Sequence, residues 1–395
     1  MKRALLGGLL IVVVLAAVGL WLMPDWRYKL LRMASKEPWY EDPPESGSFR
    51  PASYWLKAAT DSDDKVREHA LFMLGRVGKD RPEEAIPILI PALKDNDAIA
   101  RKNAALSLGT IGPEARAGVA ELVETLKDGH ARVREAVAGA LGRIHADPKT
   151  VVPALMVAMK DGDGYVRLAA MGGFSGFGAD AEPAVPALAE AMKLHGGRDV
   201  GAATVAMSTL RSLGPLGVPY LVNALSDTNA QCRALAAQAF GAMGEEGKKM
   251  IPQLKALLKD PEPTVRIVAA KSLWQLGGPK QDTITVLVEG VKNHKSYPVR
   301  KDSIVYLGEM KADAKDAVST LVEALKDEYD DVREQAALSL GLIGVEAKPA
   351  APALLAIKDN KEEEMFVRKA AVIALFNITG EDFGVAQARS PTGKL

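Results

Sequence analysis

An Asp followed six residues later by an Arg returns along this chain about every 33 residues: Asp61 and Arg67, Asp95 and Arg101, Asp128 and Arg134, Asp161 and Arg167, Asp227 and Arg233, Asp260 and Arg266, Asp327 and Arg333. An Ala, a Leu and a Gly follow most of these Arg residues at near-fixed offsets. A fixed period of this size marks units that cannot bury their apolar faces alone and therefore stack into an array. It also lets 395 residues run on without a domain boundary.

Two helical patterns lie between consecutive phrases. In the one beginning at the Arg phrase, Val66, Ala70, Leu74 and Val77 share one face and Gly78 follows; Ala100, Ala104, Leu108 and Ile111 precede Gly112; Val265, Ala269, Leu273 and Leu276 precede Gly277; Val332, Ala336, Leu340 and Ile343 precede Gly344. Spacings of four, four and three belong to a helix with one buried face, and the closing Gly fits a left-handed C-cap. Four residues before the Arg stand Asp63, Asp97, Asp163, Asn229 and Ser296, which favour the N-cap. The second helix opens on pairs such as Ile86-Pro87, Val152-Pro153, Val185-Pro186, Val218-Pro219 and Ile251-Pro252, since Pro is tolerated in a first helical turn. Leu122 and Leu126, Leu155 and Met159, Leu221 and Leu225, and Leu321 and Leu325 supply its apolar stripe. The expected fold class is all-α, a solenoid of about ten helix pairs over residues 52–380, with a polar tail at 381–395. One repeat is degenerate: Lys193 to Asp199 is a longer loop, and Ala203 stands where the Arg belongs.

Lys2-Arg3 precede an apolar run from Ala4 to Met23, long enough at about 1.5 Å per residue to reach across the roughly 30 Å of a bilayer core. Trp21, Trp26 and Tyr28 cluster at its far end, where an interfacial belt would sit. A cleaved signal ending at Ala17-Val18-Gly19 competes with an uncleaved anchor; the hydrophobicity continuing through Leu20 to Met23 favours the anchor. Residues 1–32 are thus expected to be a transmembrane helix with its juxtamembrane segment, and 33–51, rich in Pro with a Ser-Gly-Ser, a stiffened linker. Basic residues flank the span on both sides; the short N-terminal tail favours an extracytoplasmic array. Lys+Arg and Asp+Glu are both 50, so no global field attracts nucleic acid. Cys232 stands alone, which excludes an internal disulfide and a Cys-based zinc site.

A carboxylate near a helix C-terminus opposes the helix dipole, so an Asp recurring there calls for a compensating partner. An Arg one turn into the next helix can supply it, making a ladder of charge-assisted hydrogen bonds. Because each Arg is matched by an Asp, the row reads as fastening between repeats rather than as a phosphate site. Asp-x5-Arg, Val-Arg-x-x-Ala-x-x-x-Leu-Gly-x-Ile-Gly and Val-Pro-x-Leu-x-x-x-Leu-Lys-Asp resemble HEAT repeats, of the short bacterial type called phycobilisome-lyase HEAT-like, over residues 52–380. The resemblance implies a right-handed superhelix with the Arg-bearing helices on its concave side. It implies for function a scaffold or adaptor, with a few enzymes among relatives of this kind.

The residues give no chemistry to match those enzymes. Deoxyhypusine hydroxylase, which resembles such arrays, holds di-iron through His-Glu pairs; here the five histidines are followed by Ala70, Ala131, Ala146, Gly196 and Lys295. Glu68-His69 is the reversed pair and reads as a helix face. The run from Gly172 to Gly178 is neither a dinucleotide fingerprint nor a nucleophile elbow, because Phe177 replaces the second elbow Gly and no strand precedes it. Phe174 and Phe177 fall at core positions of the repeat. Asn377-Ile378-Thr379 is a formal glycosylation sequon placed in the last helix. The expectation is therefore no catalytic, metal or cofactor-binding residue and no small-molecule substrate. An accessory enzyme acting on a prosthetic group or protein stands as the alternative.

Offsets of two, five and nine past each Arg form one exposed stripe. It begins with His69, Phe72 and Arg76, continues with Asn103, Leu106 and Thr110, then Ala136, Gly139 and Arg143, then Ala169, Gly172 and Gly176. Further along come Gln238, Lys271, Asp302, Val305, Gln335 and Leu338. The small residues of its middle predict a groove that a partner's helix or strand can approach closely. The expected function is a membrane-anchored scaffold binding protein partners along this stripe.

Overall fold

The computed structural model describes residues 39–41, 49–193, 201–293 and 295–384. The expected membrane helix, the loop at 194–200 and the tail from 385 lie outside them. Among the described residues ten successive helix pairs run from Ala52 to Thr379. Two compact units divide them, residues 1–184 and 185–395, and the degenerate repeat opens the second.

In the first unit the Arg-bearing helices are Asp64–Asp80, Ala98–Ile111, Ala131–Ile144 and Gly164–Gly173. In the second they are Ala230–Gly241, Pro263–Gln275, Tyr297–Glu309, Asp330–Ile343 and Met365–Thr379, preceded by Ala202–Ser212, which takes the same place with Ala203 at the Arg position. Each packs against the next such helix of its own unit and against the helix before it in its own pair. In every pair a Leu or Phe seven residues past the Arg position is buried, and in every pair but the first so is a Leu of the preceding helix; the first pair has Trp55 there. Leu74, Leu108, Leu141 and Phe174 in one unit, and Leu210, Phe240, Leu273, Leu307, Leu340 and Leu375 in the other, are all buried. So are Leu89, Leu122 and Leu155, and Leu188, Leu221, Leu254, Leu287, Leu321 and Leu354. Each such side chain stabilises the stack by about 1.5–3 kcal/mol.

The helix ends follow their side chains. Asp63, Asp97, Asp163 and Asn229 accept N–H bonds from the first turns behind them, while Ser296 occupies its N-cap without a side-chain cap bond. Gly112, Gly277 and Gly344 end their helices in the left-handed region, at φ +85°, +76° and +77°. Gly78 does not. Its helix continues to Asp80, and a Cβ there would lie 2.7 Å from Ile111 Cγ1, so this glycine is a close-approach position and not a cap. Pro219 and Pro252 open their helices as expected, but Pro87 and Pro153 sit inside Pro82–Ala92 and Pro148–Ala158, which begin one turn earlier at another Pro. The earlier Pro takes the starting position, and the second leaves a single carbonyl of the first turn without its N–H.

Within the stretch read as linker, Trp39–Glu41 pairs with Phe49–Pro51 as an antiparallel two-stranded ribbon, Trp39 opposite Pro51. Aromatic residues favour extended backbone. The ribbon packs on the first helix pair. Asp330–Asp359 has the length and apolarity of a membrane span. It is two array helices joined by a 3-10 turn, Gly344–Ala350, and it packs against Met365–Thr379.

Candidate functional site

Each ladder Arg points its guanidinium two ways. Arg67 Nη1 donates to the Asp61 carbonyl at 2.8 Å, in its own repeat, and Nε donates to Asp95 Oδ2 at 2.7 Å, in the next. Arg101 bridges the Asp95 carbonyl and the Asp128 carboxylate, and Arg134 the Asp128 carbonyl and the Asp161 carboxylate. In the second unit Arg233 joins Asp227 to Asp260, Arg300 reaches Asp327, and Arg333 joins Asp327 to Glu363. All six carboxylate contacts are bidentate.

This differs from the pairing of each Asp with the Arg six residues on. The Asp turns only its carbonyl to that Arg. Its Oδ1 accepts the N–H two residues ahead, as in Asp95 to Asp97 at 2.8 Å, and the carboxylate so fixed faces the Arg of the preceding repeat. Asp61, in the first repeat, has only that local bond to its carboxylate among the described residues, and so has Asp227 after the degenerate repeat. Arg266 donates to the Asp260 and Pro261 carbonyls and meets no carboxylate among the described residues. Arg167 donates to the Asp161 and Gly162 carbonyls.

The paired carboxylates are 5–13% exposed. The hydrogen bond from Arg67 holds Asp95 below the usual carboxylate range, and that from Arg134 does the same for Asp161. At Asp128, Asp260, Asp327 and Glu363 burial pulls upward, but the Arg and a main-chain N–H together outweigh it. The row is thus spent on holding repeats together, and the surface left for a partner lies beside it.

In the first unit the small residues of the stripe come together. A cleft of about 840 Å³ is lined by Gly139, Ala169, Gly172 and Gly176, with Lys79, Arg143 and His145 on its walls. An adjoining cleft of about 440 Å³ shares Gly139, Arg143 and Ala169 and adds Leu106 and Ala136. The floor is low because the helices touch backbone to backbone: a Cβ on Gly142 would lie 2.5 Å from Gly173 Cα. Arg143 Nε donates to the Gly109 carbonyl at 3.1 Å, and burial lowers its pKa from the ordinary value. His145 closes its helix at φ +47°, where Gly112 closes the preceding one, with its ring edge-on to Phe177 at 5.8 Å. Phe174 and Phe177 are buried. Three stripe residues carry structure instead. His69 packs on Trp55 with ring centroids 5.1 Å apart, Asn103 is buried with Nδ2 donating to the Glu68 carbonyl at 2.8 Å, and Ala136 is 5% exposed. Phe72 is 49% exposed.

The second unit presents larger side chains at the same offsets. Lys271 Nζ lies 3.0 Å from Glu309 Oε2 and 4.4 Å from the Tyr306 ring. Burial raises the pKa of Asp302 and pushes the Tyr306 hydroxyl up to about 12. Gln238 is exposed, and Val305 and Leu338 are half-buried. Among the described residues no cluster of His, Cys, Asp and Glu is placed to hold a metal.

The sequence matches the HEAT-repeat family over residues 52–120, 119–208, 218–307 and 284–376. The chain is a HEAT-repeat protein. No curated protein matches it. Among solved structures this HEAT array is similar to importin β at 14% identity, covering 85% of this chain and 52% of that one with a TM-score of 0.55. It is similar to Kap95 in its complex with Nup1 at 12% identity, covering 82% and 52% with a TM-score of 0.57. Kap121p bound to Pho4p matches at 14% identity, covering 82% and 41% with a TM-score of 0.52. At these identities the fold alone is shared, and the chain spans about half the length of these proteins or less.

Sequence reasoning passed over two members of the HEAT ladder, Arg300 and Glu363. Arg300 precedes Asp327 by 27 residues, the separation of Arg134 from Asp161, and that interval was the available signal. Glu363 follows Arg333 by 30 residues and gave none. Arg143 stands at the end of the exposed stripe, and no motif in the sequence marks Lys79 or His145 as walls of a cleft.

Proposed function

We propose that this HEAT array, of the short phycobilisome-lyase-like type, is a scaffold or adaptor that holds protein partners along the exposed face of its Arg-bearing helices and does no chemistry itself. In this reading residues 1–32 tether it to a membrane, with the array on the extracytoplasmic side. The carrying observation is the division of labour on one set of helices: the Arg row is consumed by the next repeat, while two adjoining clefts open beside it. A surface repeated at a fixed offset suits an extended partner touching several repeats in turn. Solved relatives are seen with protein partners, Kap95 with Nup1 and Kap121p with Pho4p. Photo-crosslinking amino acids at Leu106 and Leu338, with purification from native membranes and mass spectrometry, test the scaffold. The expected result is a defined protein adduct absent when the crosslinker sits on the first helix of a pair, for example at Val157, which is 73% exposed. Equal labelling from Val157 contradicts the face. A reporter fused at Leu395 tests the tether, and cytoplasmic reporter activity would overturn the orientation.

A further inference from the structure

We propose that the larger cleft of the first unit receives an extended acidic segment of a protein partner, with one of its carboxylates paired to Arg143. This rests on the scaffold reading of the same helix face and specifies the chemistry of what is bound there.

Arg143 differs from every rung of the ladder. Its Nε is satisfied by the Gly109 carbonyl, but Nη1 and Nη2 donate to nothing among the described residues. The two terminal nitrogens can grip a carboxylate end-on with a pair of donors, whereas the six rungs grip theirs through Nε and Nη2. The surroundings point the same way. Lys79 on the wall and Lys102 in the adjoining cleft make no ion pair among the described residues, whereas Arg132 is answered by Glu135 at 2.8 Å. Glu114 is the remaining acid of the two linings, so cations exceed acids across them.

The floor selects the form of the ligand. Gly172 is exposed with open space where a Cβ would stand, so a main chain can lie against its helix, while the His145 ring packs over Gly176 and bounds that end of the cleft. A polyproline-II-like extended segment has three residues per turn and advances about 3.1 Å per residue, and neighbouring helices stand about 8–10 Å apart, so acids spaced three residues apart share one face and fall on successive repeats. A nucleic acid suits the cleft less well: no Phe, Tyr or Trp lines either cleft to stack a base, and the cations are few.

The test is fluorescence anisotropy on the full chain in detergent, with a fluorescein-labelled peptide of four Glu-Ala-Gly repeats. Its Gln-Ala-Gly counterpart, an oligo-dT strand and phosphatidylglycerol vesicles serve as competitors. The expected result is saturable binding of the Glu peptide alone, weakened about tenfold or more by Arg143→Gln. Gly172→Glu is expected to abolish it with an unchanged thermal melt, because a Cβ there meets nothing within 4 Å. Failure of the Glu peptide to bind, or equal binding to Arg143→Gln, overturns the proposal. Stronger competition by oligo-dT or vesicles than by unlabelled Glu peptide overturns the choice of a protein segment. If Arg143→Gln still gives the Leu106 crosslink in full, the acidic-segment proposal fails while the scaffold stands; loss of every crosslink from wild type removes the scaffold reading itself.

Discussion

In the first unit three rungs follow without a gap, from Arg67 to Asp95, Arg101 to Asp128 and Arg134 to Asp161. In the second, the rung from Arg233 to Asp260 is separated from that of Arg300 to Asp327 by Arg266, which reaches main-chain carbonyls. The faces beside these rows differ more. The first is glycine and alanine with Lys79 and Arg143, which meet no carboxylate among the described residues, and the second is Lys271, Tyr306, Asp302 and Glu309 in mutual contact or close by. A rung must satisfy a carbonyl in one repeat and a carboxylate in the next, so its chemistry is held constant. The neighbouring offsets satisfy nothing obligatory, and there the repeats diverge. Fastening and recognition are therefore separable on one helix.

Acid should erase the likeness between the units most completely. Six carboxylates have folded pKa values below their unfolded ones, so as pH falls the unfolded state takes up protons first. The stability they contribute is whole above about pH 4 and is lost as pH drops through the lowered values. Urea midpoints from pH 7 to 2 should fall mainly below pH 4; a flat profile there contradicts the ladder. A single rung comes next. Arg134→Ala leaves Asp161 with its local N–H alone, and should cost about 2–4 kcal/mol in urea unfolding. Arg266→Ala sharpens the contrast, since it loses carbonyl contacts without stranding a carboxylate. It should cost no more than about 1 kcal/mol, and an effect equal to Arg134→Ala would place an acid against it. Smallest is Gly172→Arg on the first face: with open space around the new Cβ, the unfolding midpoint should stay within about 0.5 kcal/mol of wild type while partner capture is lost.

The helices, the Leu core and most caps were legible because they depend on contacts a few residues apart. Asp63 caps the turn that follows it, and Leu108 lies on the same face as Ala104. The ladder was legible as a row but not as a set of pairs. Which Arg meets which Asp is fixed by the offset between neighbouring repeats, and that distance is absent from the six-residue phrase. Glycine was ambiguous for a related reason: Gly112 is needed for its positive φ and Gly78 for the nearness of Ile111, and the letter is the same. Glu363 was hidden because the helix before it, Ala351–Asp359, has 9 residues where Val318–Ala324 has 7, so the acid falls 30 residues after its Arg instead of 27 and is a Glu instead of an Asp. The cleft needed three repeats at once, since Gly109, Arg143 and Gly172 come from three helices.

That the Arg row joins one repeat to the next can be measured by a double-mutant cycle on Arg134. Its coupling to Asp161 and to Asp128 should be obtained from urea unfolding of the single and double Ala variants. Coupling of about 1–3 kcal/mol to Asp161, with less than about 0.5 kcal/mol to the Asp128 side chain, is expected. Strong coupling to Asp128 and none to Asp161 would return the pair to a single repeat and contradict the ladder.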